Sequence, residues 1–117
     1  MGKAAQDLSN RIRLELSKPE FMTRLWPYTT GMLDLADGRK VAAGAPGVSD
    51  LVGVVGPWGI FIGIEVKAGK DRMRESQEHF RDMVREHGGI YIVARDVLET
   101  IYDFRREVGT WLGRNGF

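Results

Sequence analysis

Apolar residues in the first seventeen positions recur every fourth residue, at Leu8, Ile12 and Leu16, with Arg11, Arg13 and Glu15 between them. That spacing predicts an amphipathic helix from about Ala4 to Ser17, stopped by Pro19. Phe21 to Tyr28 reads as a strand, and Pro27, which has no N–H, assigns it to a sheet edge. Thr29-Thr30-Gly31 follows as a turn, and Met32 to Val41 reads as a short hairpin about Asp37-Gly38. Ala42 to Gly47 is small and irregular, with glycines that let backbone approach closely. Ser49 to Val55 and Ile60 to Lys67 then flank a turn of Gly56, Pro57 and Gly59, the mark of a β-hairpin. Past a polar loop, Met73, Gln77, Phe80, Val84 and His87 form the inward stripe of a helix ending at Gly88-Gly89. Ile90 to Ala94 suits a buried strand. Asp96 and Glu99 make a capping box ahead of a last helix, with Val97, Ile101, Phe104, Val108 and Trp111 turned inward. Strands interleaved with helices predict an α/β fold, a mixed sheet of about four or five strands flanked by helices on both faces.

Composition narrows this picture without changing it. A chain of 117 residues suits a single domain over 1–117, with one core. Its net charge is +1, which excludes a binder that works by overall positive charge; contact with nucleic acid needs a local basic cluster. There is no cysteine, so disulfides, thiolate metal sites and thiol catalysis are excluded. The start of the chain lacks an apolar signal core and no run approaches membrane-spanning length. A cytoplasmic location is expected, that of the host if the chain is phage-encoded.

The chemistry sits in the hairpin. Asp50 opens its first strand, and Glu65 and Lys67 lie near the end of its second. Residues two apart on a strand face the same way, and those strand ends are neighbours, so the three charges converge. Charges on a mostly buried sheet need partners, since desolvating them alone is costly. Two readings fit: a salt bridge from Lys67 that closes the hairpin, or two carboxylates holding a hard cation beside an ammonium group.

The ordered set Gly47-Val48-Ser49-Asp50-Leu51, Ile64-Glu65-Val66-Lys67, Gln77 opening a helix, and the strand Gly88-Gly89-Ile90-Tyr91-Ile92-Val93-Ala94-Arg95 resembles the PD-(D/E)XK nucleases. More narrowly it resembles their VRR-NUC (virus-type replication-repair nuclease) family in its small stand-alone form, over about Ile12 to Arg95. The resemblance implies a restriction-endonuclease-like fold and a metal-dependent DNA endonuclease that hydrolyses phosphodiesters to a 5′-phosphate and a 3′-hydroxyl. It implies that Asp50, Glu65 and the Val66 carbonyl hold Mg²⁺ or Mn²⁺, that Lys67 serves the attacking water or the developing charge, and that Gln77 points into the site. On its own, Gln77 also reads as a helix-start amide bonding free backbone groups.

The family often carries a further glutamate on the first helix, which aligns here with Ala5; Asp7 and Asn10 are the nearby oxygen donors. Lys70, Arg72 and Arg74, with Arg39 and Lys40 at the first hairpin tip, are the candidate DNA contacts. Arg81 and Arg85 extend that basic face, with Glu75, Glu78, Asp82 and Glu86 interleaved. His87, at a helix C-terminus, reads as a cap or packing residue. Stand-alone relatives suggest branched DNA such as Holliday junctions and a homodimer; Trp111, Leu112 and Phe117, or Trp58 with its turn, supply apolar surface for one. The rival reading is a catalytically weak DNA-binding or dimerisation module of the same fold.

Overall fold

The computed structural model describes residues 1–29 and 31–117. The expected turn at Thr29-Thr30-Gly31 falls partly on Thr30, outside the described residues. The elements run α1 (Lys3–Leu16), a short 3₁₀ turn (Pro19–Phe21), β1 (Thr23–Pro27), β2 (Gly31–Asp34), β3 (Lys40–Ala43), β4 (Leu51–Val55), β5 (Ile60–Val66), α2 (Glu75–Glu86), β6 (Ile90–Ala94) and α3 (Val97–Arg114). One sheet has the order β1-β4-β5-β6, and β2 and β3 pair as a separate hairpin. The fold is thus mixed α/β, with a four-stranded mixed sheet, a two-stranded sheet and three helices, as the pattern of elements predicts.

β4 and β5 are antiparallel, with Leu51 opposite Ile64 and Val55 opposite Ile60. β5 and β6 are parallel, and α2 makes the crossover between them. The first predicted strand is shorter than expected, since the 3₁₀ turn takes Phe21 into the core against Phe104, with ring centroids 5.6 Å apart. β1 is an edge strand, and Pro27 sits harmlessly in it. The Tyr28 N–H donates to the Asp50 carbonyl, so the alternation of an antiparallel ladder turns position 27 outward, where no bond is lost.

One face of the sheet carries Leu25, Leu51, Val55, Ile60, Ile62, Ile64, Ile90, Ile92 and Ala94 under α1 and α3, whose Ile12, Leu16, Val97 and Phe104 complete the core. The other face carries Phe61, Gly63, Glu65 and Tyr91 under α2, where Phe80 packs edge-on against Phe61 and Tyr91. At Gly63 a Cβ would stand 2.7 Å from the Ser49 hydroxyl and 3.3 Å from the Tyr91 ring. Gly63→Ala is therefore expected to cost about 1–3 kcal/mol, read as a lower urea midpoint.

The Met32 to Val41 hairpin forms as expected, and the Arg39 N–H donates to the Asp37 carboxylate across its turn. Asp96 caps α3 by accepting from the Glu99 N–H at 3.0 Å. Trp58, Trp111 and Phe117 pack on one another with centroids 6.1 to 6.3 Å apart, while Trp58 and Phe117 stay open to solvent at 37% and 73% exposed. The Trp111 indole N–H donates to the Gly88 carbonyl, which directs that ring back onto its own chain.

Candidate active site

Asp50 lies one residue before β4, and the register that sets Leu51 against Ile64 sets Asp50 against Glu65. The two carboxylates therefore share a face, and Lys67, two residues past Glu65, joins them. Asp50 is fixed by the Val66 N–H, which donates to its Oδ2 at 2.8 Å. Lys67 continues the β5–β6 pairing by donating its own N–H to the Ala94 carbonyl at 2.9 Å. Glu65 and Lys67 are 2% and 7% exposed, so both ionisable ends are held almost out of water.

Their contacts are few. The Lys67 ammonium is 3.9 Å from Glu65 Oε1, a loose approach rather than a tight ion pair. The Gln77 Nε2 donates to the same oxygen at 3.3 Å. Its Oε1 meanwhile accepts the Arg74 N–H at 2.9 Å, at the start of α2. Gln77 thus fills both roles open to it, satisfying a free helix-start N–H and reaching the acidic pair. Glu65 Oε2 is buried with no partner.

Burial, then the neighbouring Asp50 carboxylate, pushes the Glu65 pKa up to about 8, against the smaller opposing pull of Lys67 and Arg74. The native chain holds that proton up to about pH 8, whereas the unfolded chain releases it near 4.5. Over that window the native state binds more protons than the unfolded, so stability without a cation falls as pH rises. Melting temperature should decline from about pH 5 to about pH 8, and Glu65→Gln should flatten the decline; a wild-type curve that rises over that range would contradict it.

Loops complete a cleft of about 460 Å³, lined on its floor by Asp50, Glu65, Val66, Lys67 and Gln77. Gly47, at φ +83°, brings its loop against the first turn of α2, where a Cβ would overlap the Ser76 carbonyl. The Tyr28 hydroxyl accepts the Ala45 N–H at 2.9 Å and holds the same loop from the other side. Arg95 donates to the Gly69 and Asp71 carbonyls at 3.2 and 2.7 Å, bracing the loop that leads to Arg74. Neither brace was visible in the spacing of the sequence; Arg95 there only closes a strand.

Arg74 lines the cleft, whereas Lys70 and Arg72 are exposed on the loop before it. Arg39 and Lys40 lie on the β2–β3 hairpin and are engaged by its own acids, Asp37 at 2.6 Å and Asp34 at 3.4 Å. Arg81 is paired with Asp82, and Arg85 donates to the Tyr91 carbonyl, so the basic face of α2 is partly spent within the fold. His87 Nδ1 lies 2.8 Å from the Met83 carbonyl, which fits a C-terminal cap.

From α1 the cleft receives Ala5, Gln6 and Ser9, and neither Asp7 nor Asn10 lines it. Asp7 is paired with Lys3 at 3.5 Å, and Asn10 accepts from Gln6. Tyr91, behind Glu65, was also missed: its hydroxyl is buried without a partner, and burial with the nearby acids pushes its pKa up.

The donor set suits a hard cation. All candidate ligands are oxygens, one Glu65 oxygen is buried with no donor, and two acids stand side by side with the Lys67 ammonium 3.9 Å from Glu65. Among the described residues there is no cluster of three or more histidine, cysteine, aspartate or glutamate side chains, so these two acids are the carboxylates on offer.

A family model described as VRR-NUC domain matches residues 29–97, more than half of the chain and all of the cleft's floor. α1 and β1 lie before the matched stretch. No curated protein matches the chain.

Proposed function

The chain belongs to the VRR-NUC family, a nuclease domain of the PD-(D/E)XK type, and from that premise we propose that it is a Mg²⁺- or Mn²⁺-dependent DNA endonuclease. The observation that carries the metal dependence is the unpartnered, buried Glu65 Oε2 beside a second carboxylate. Asp50, Glu65 and the Val66 carbonyl would hold the ion. When bound, such an ion neutralises charge on the phosphate and makes water a stronger nucleophile at neutral pH.

The chain's own groups do the rest. The Val66 N–H fixes the Asp50 carboxylate, and Gln77 fixes that of Glu65. Lys67, held nearly dry, keeps a cation beside the attacked phosphate and donates to the attacking water or to the charge that grows on phosphate oxygens. Arg74 at the cleft wall orients the strand. The products are a 5′-phosphate and a 3′-hydroxyl.

Branched DNA such as a Holliday junction is the proposed substrate, cut by a homodimer that presents two clefts to paired strands. The exposed apolar surface of Trp58 and Phe117, 37% and 73% open, is the surface proposed for that dimer. The test is incubation of the protein with an end-labelled four-way junction, a flap and a matched duplex, each with Mg²⁺, Mn²⁺ or EDTA. Cutting of the junction above the duplex, abolished by EDTA, is expected. Binding without cutting under every condition favours the weak-module reading instead.

A further inference from the structure

A second concavity of about 390 Å³ runs between α1 and the free edge of β1, lined by Asn10, Arg13, Leu14, Ser17, Arg24 and Leu25. Its lining lies next to that of the cleft along the chain: on α1, Ser9 lines the cleft and Asn10 the groove, and on β1 only Trp26 separates Leu25 from Pro27. Among the described residues no acid lines this groove. Among the described residues neither Arg13 nor Arg24 is in an ion pair, whereas Arg39, Arg81 and Arg106 are each paired to a carboxylate nearby.

Arg13 Nε is buried without a partner. An unsatisfied donor on a charged group is unfavourable until an acceptor reaches it. The ladder alternation that turns Pro27 outward also turns the Leu25 N–H outward along the same edge. Two unopposed guanidiniums and a free edge amide make a surface for anionic oxygens.

We propose that this groove binds the phosphodiester backbone of the strand that continues out of the cleft, with Arg13 and Arg24 on neighbouring phosphates. Arg24 and Pro27 are three strand steps apart, about 10 Å at ~3.3 Å each, or roughly three nucleotides of one strand. The inference rests on the nuclease reading, and names how its substrate is held away from the cut.

The test uses the full chain carrying Glu65→Gln, so that DNA is bound without cleavage, and a fluorescein-labelled four-way junction and duplex read by anisotropy from about 50 to 300 mM NaCl. Each phosphate contact contributes a slope of about 0.9 in log affinity against log salt. Arg24→Gln should lower the slope by about 0.9 and the pair Arg13→Gln/Arg24→Gln by about 1.8, while Arg13→Lys keeps it. Arg24 is exposed on an edge strand, so its single variant carries the test even if Arg13→Gln unfolds. An unchanged slope in Arg24→Gln and in the folded double variant, where the wild-type chain cuts DNA, overturns the groove assignment and leaves the nuclease reading standing. A wild-type chain that neither binds nor cuts DNA overturns both.

Discussion

Glu65→Gln is expected to lower DNA cleavage on the order of 10³-fold while the chain stays folded, because a few kcal/mol of transition-state stabilisation is lost. The amide keeps the shape of the side chain, and its oxygen can still accept from Gln77. It removes the charge that burial and Asp50 already disfavour, so stability above about pH 7 should rise rather than fall. Loss of activity with equal or higher melting temperature separates a functional carboxylate from a structural one. Titration calorimetry adds the second readout: the heat of Mn²⁺ binding should disappear together with cleavage. Asp50→Asn should behave the same way in both assays.

Lys67→Ala is expected to lose cleavage by about 10²- to 10³-fold and to keep Mn²⁺ binding. The ammonium lies 3.9 Å from Glu65 and pulls its pKa down only against larger opposing effects. Its removal therefore leaves the acids free to bind a cation, and relieves a positive charge next to that cation. Arginine should not rescue, since a broad planar fork cannot replace a compact ammonium in a nearly closed space. The split matters: a ligand role predicts loss of binding and cleavage together, and a catalytic role for Lys67 predicts loss of cleavage alone. Single-turnover rates beside calorimetry distinguish them, and wild-type rates in Lys67→Ala would remove the lysine from the chemistry.

The convergence of Asp50, Glu65 and Lys67 was legible because it depends only on strand parity and a hairpin turn, both local and strongly patterned. The inward stripe of α2 was legible less completely. Val84 is buried, but Met73 precedes the helix and His87 is exposed at its end, where a carbonyl cap competes with burial. What contributes across long sequence distance was not legible. Arg95 reaches back to carbonyls at 69 and 71, and Tyr28 reaches forward to the 45 amide; no periodicity encodes such contacts. The same holds for the aromatic cluster. The mutual packing of Trp58, Trp111 and Phe117 exists only once β4–β5 and α3 are placed. Pro27 marked an edge strand correctly, yet its outward register, and with it the free Leu25 N–H, needed the pairing with β4.

All of the proposed chemistry depends on one divalent ion seated between two acids at the end of this sheet. Crystals soaked in MnCl₂ and measured at the manganese edge test that seat directly. A strong anomalous peak at about 2.0–2.6 Å from oxygens of both Asp50 and Glu65 is the expected result. Full-occupancy soaks that show no peak there, with Glu65 sharing a proton with Asp50 or bonded only to Lys67, would contradict it.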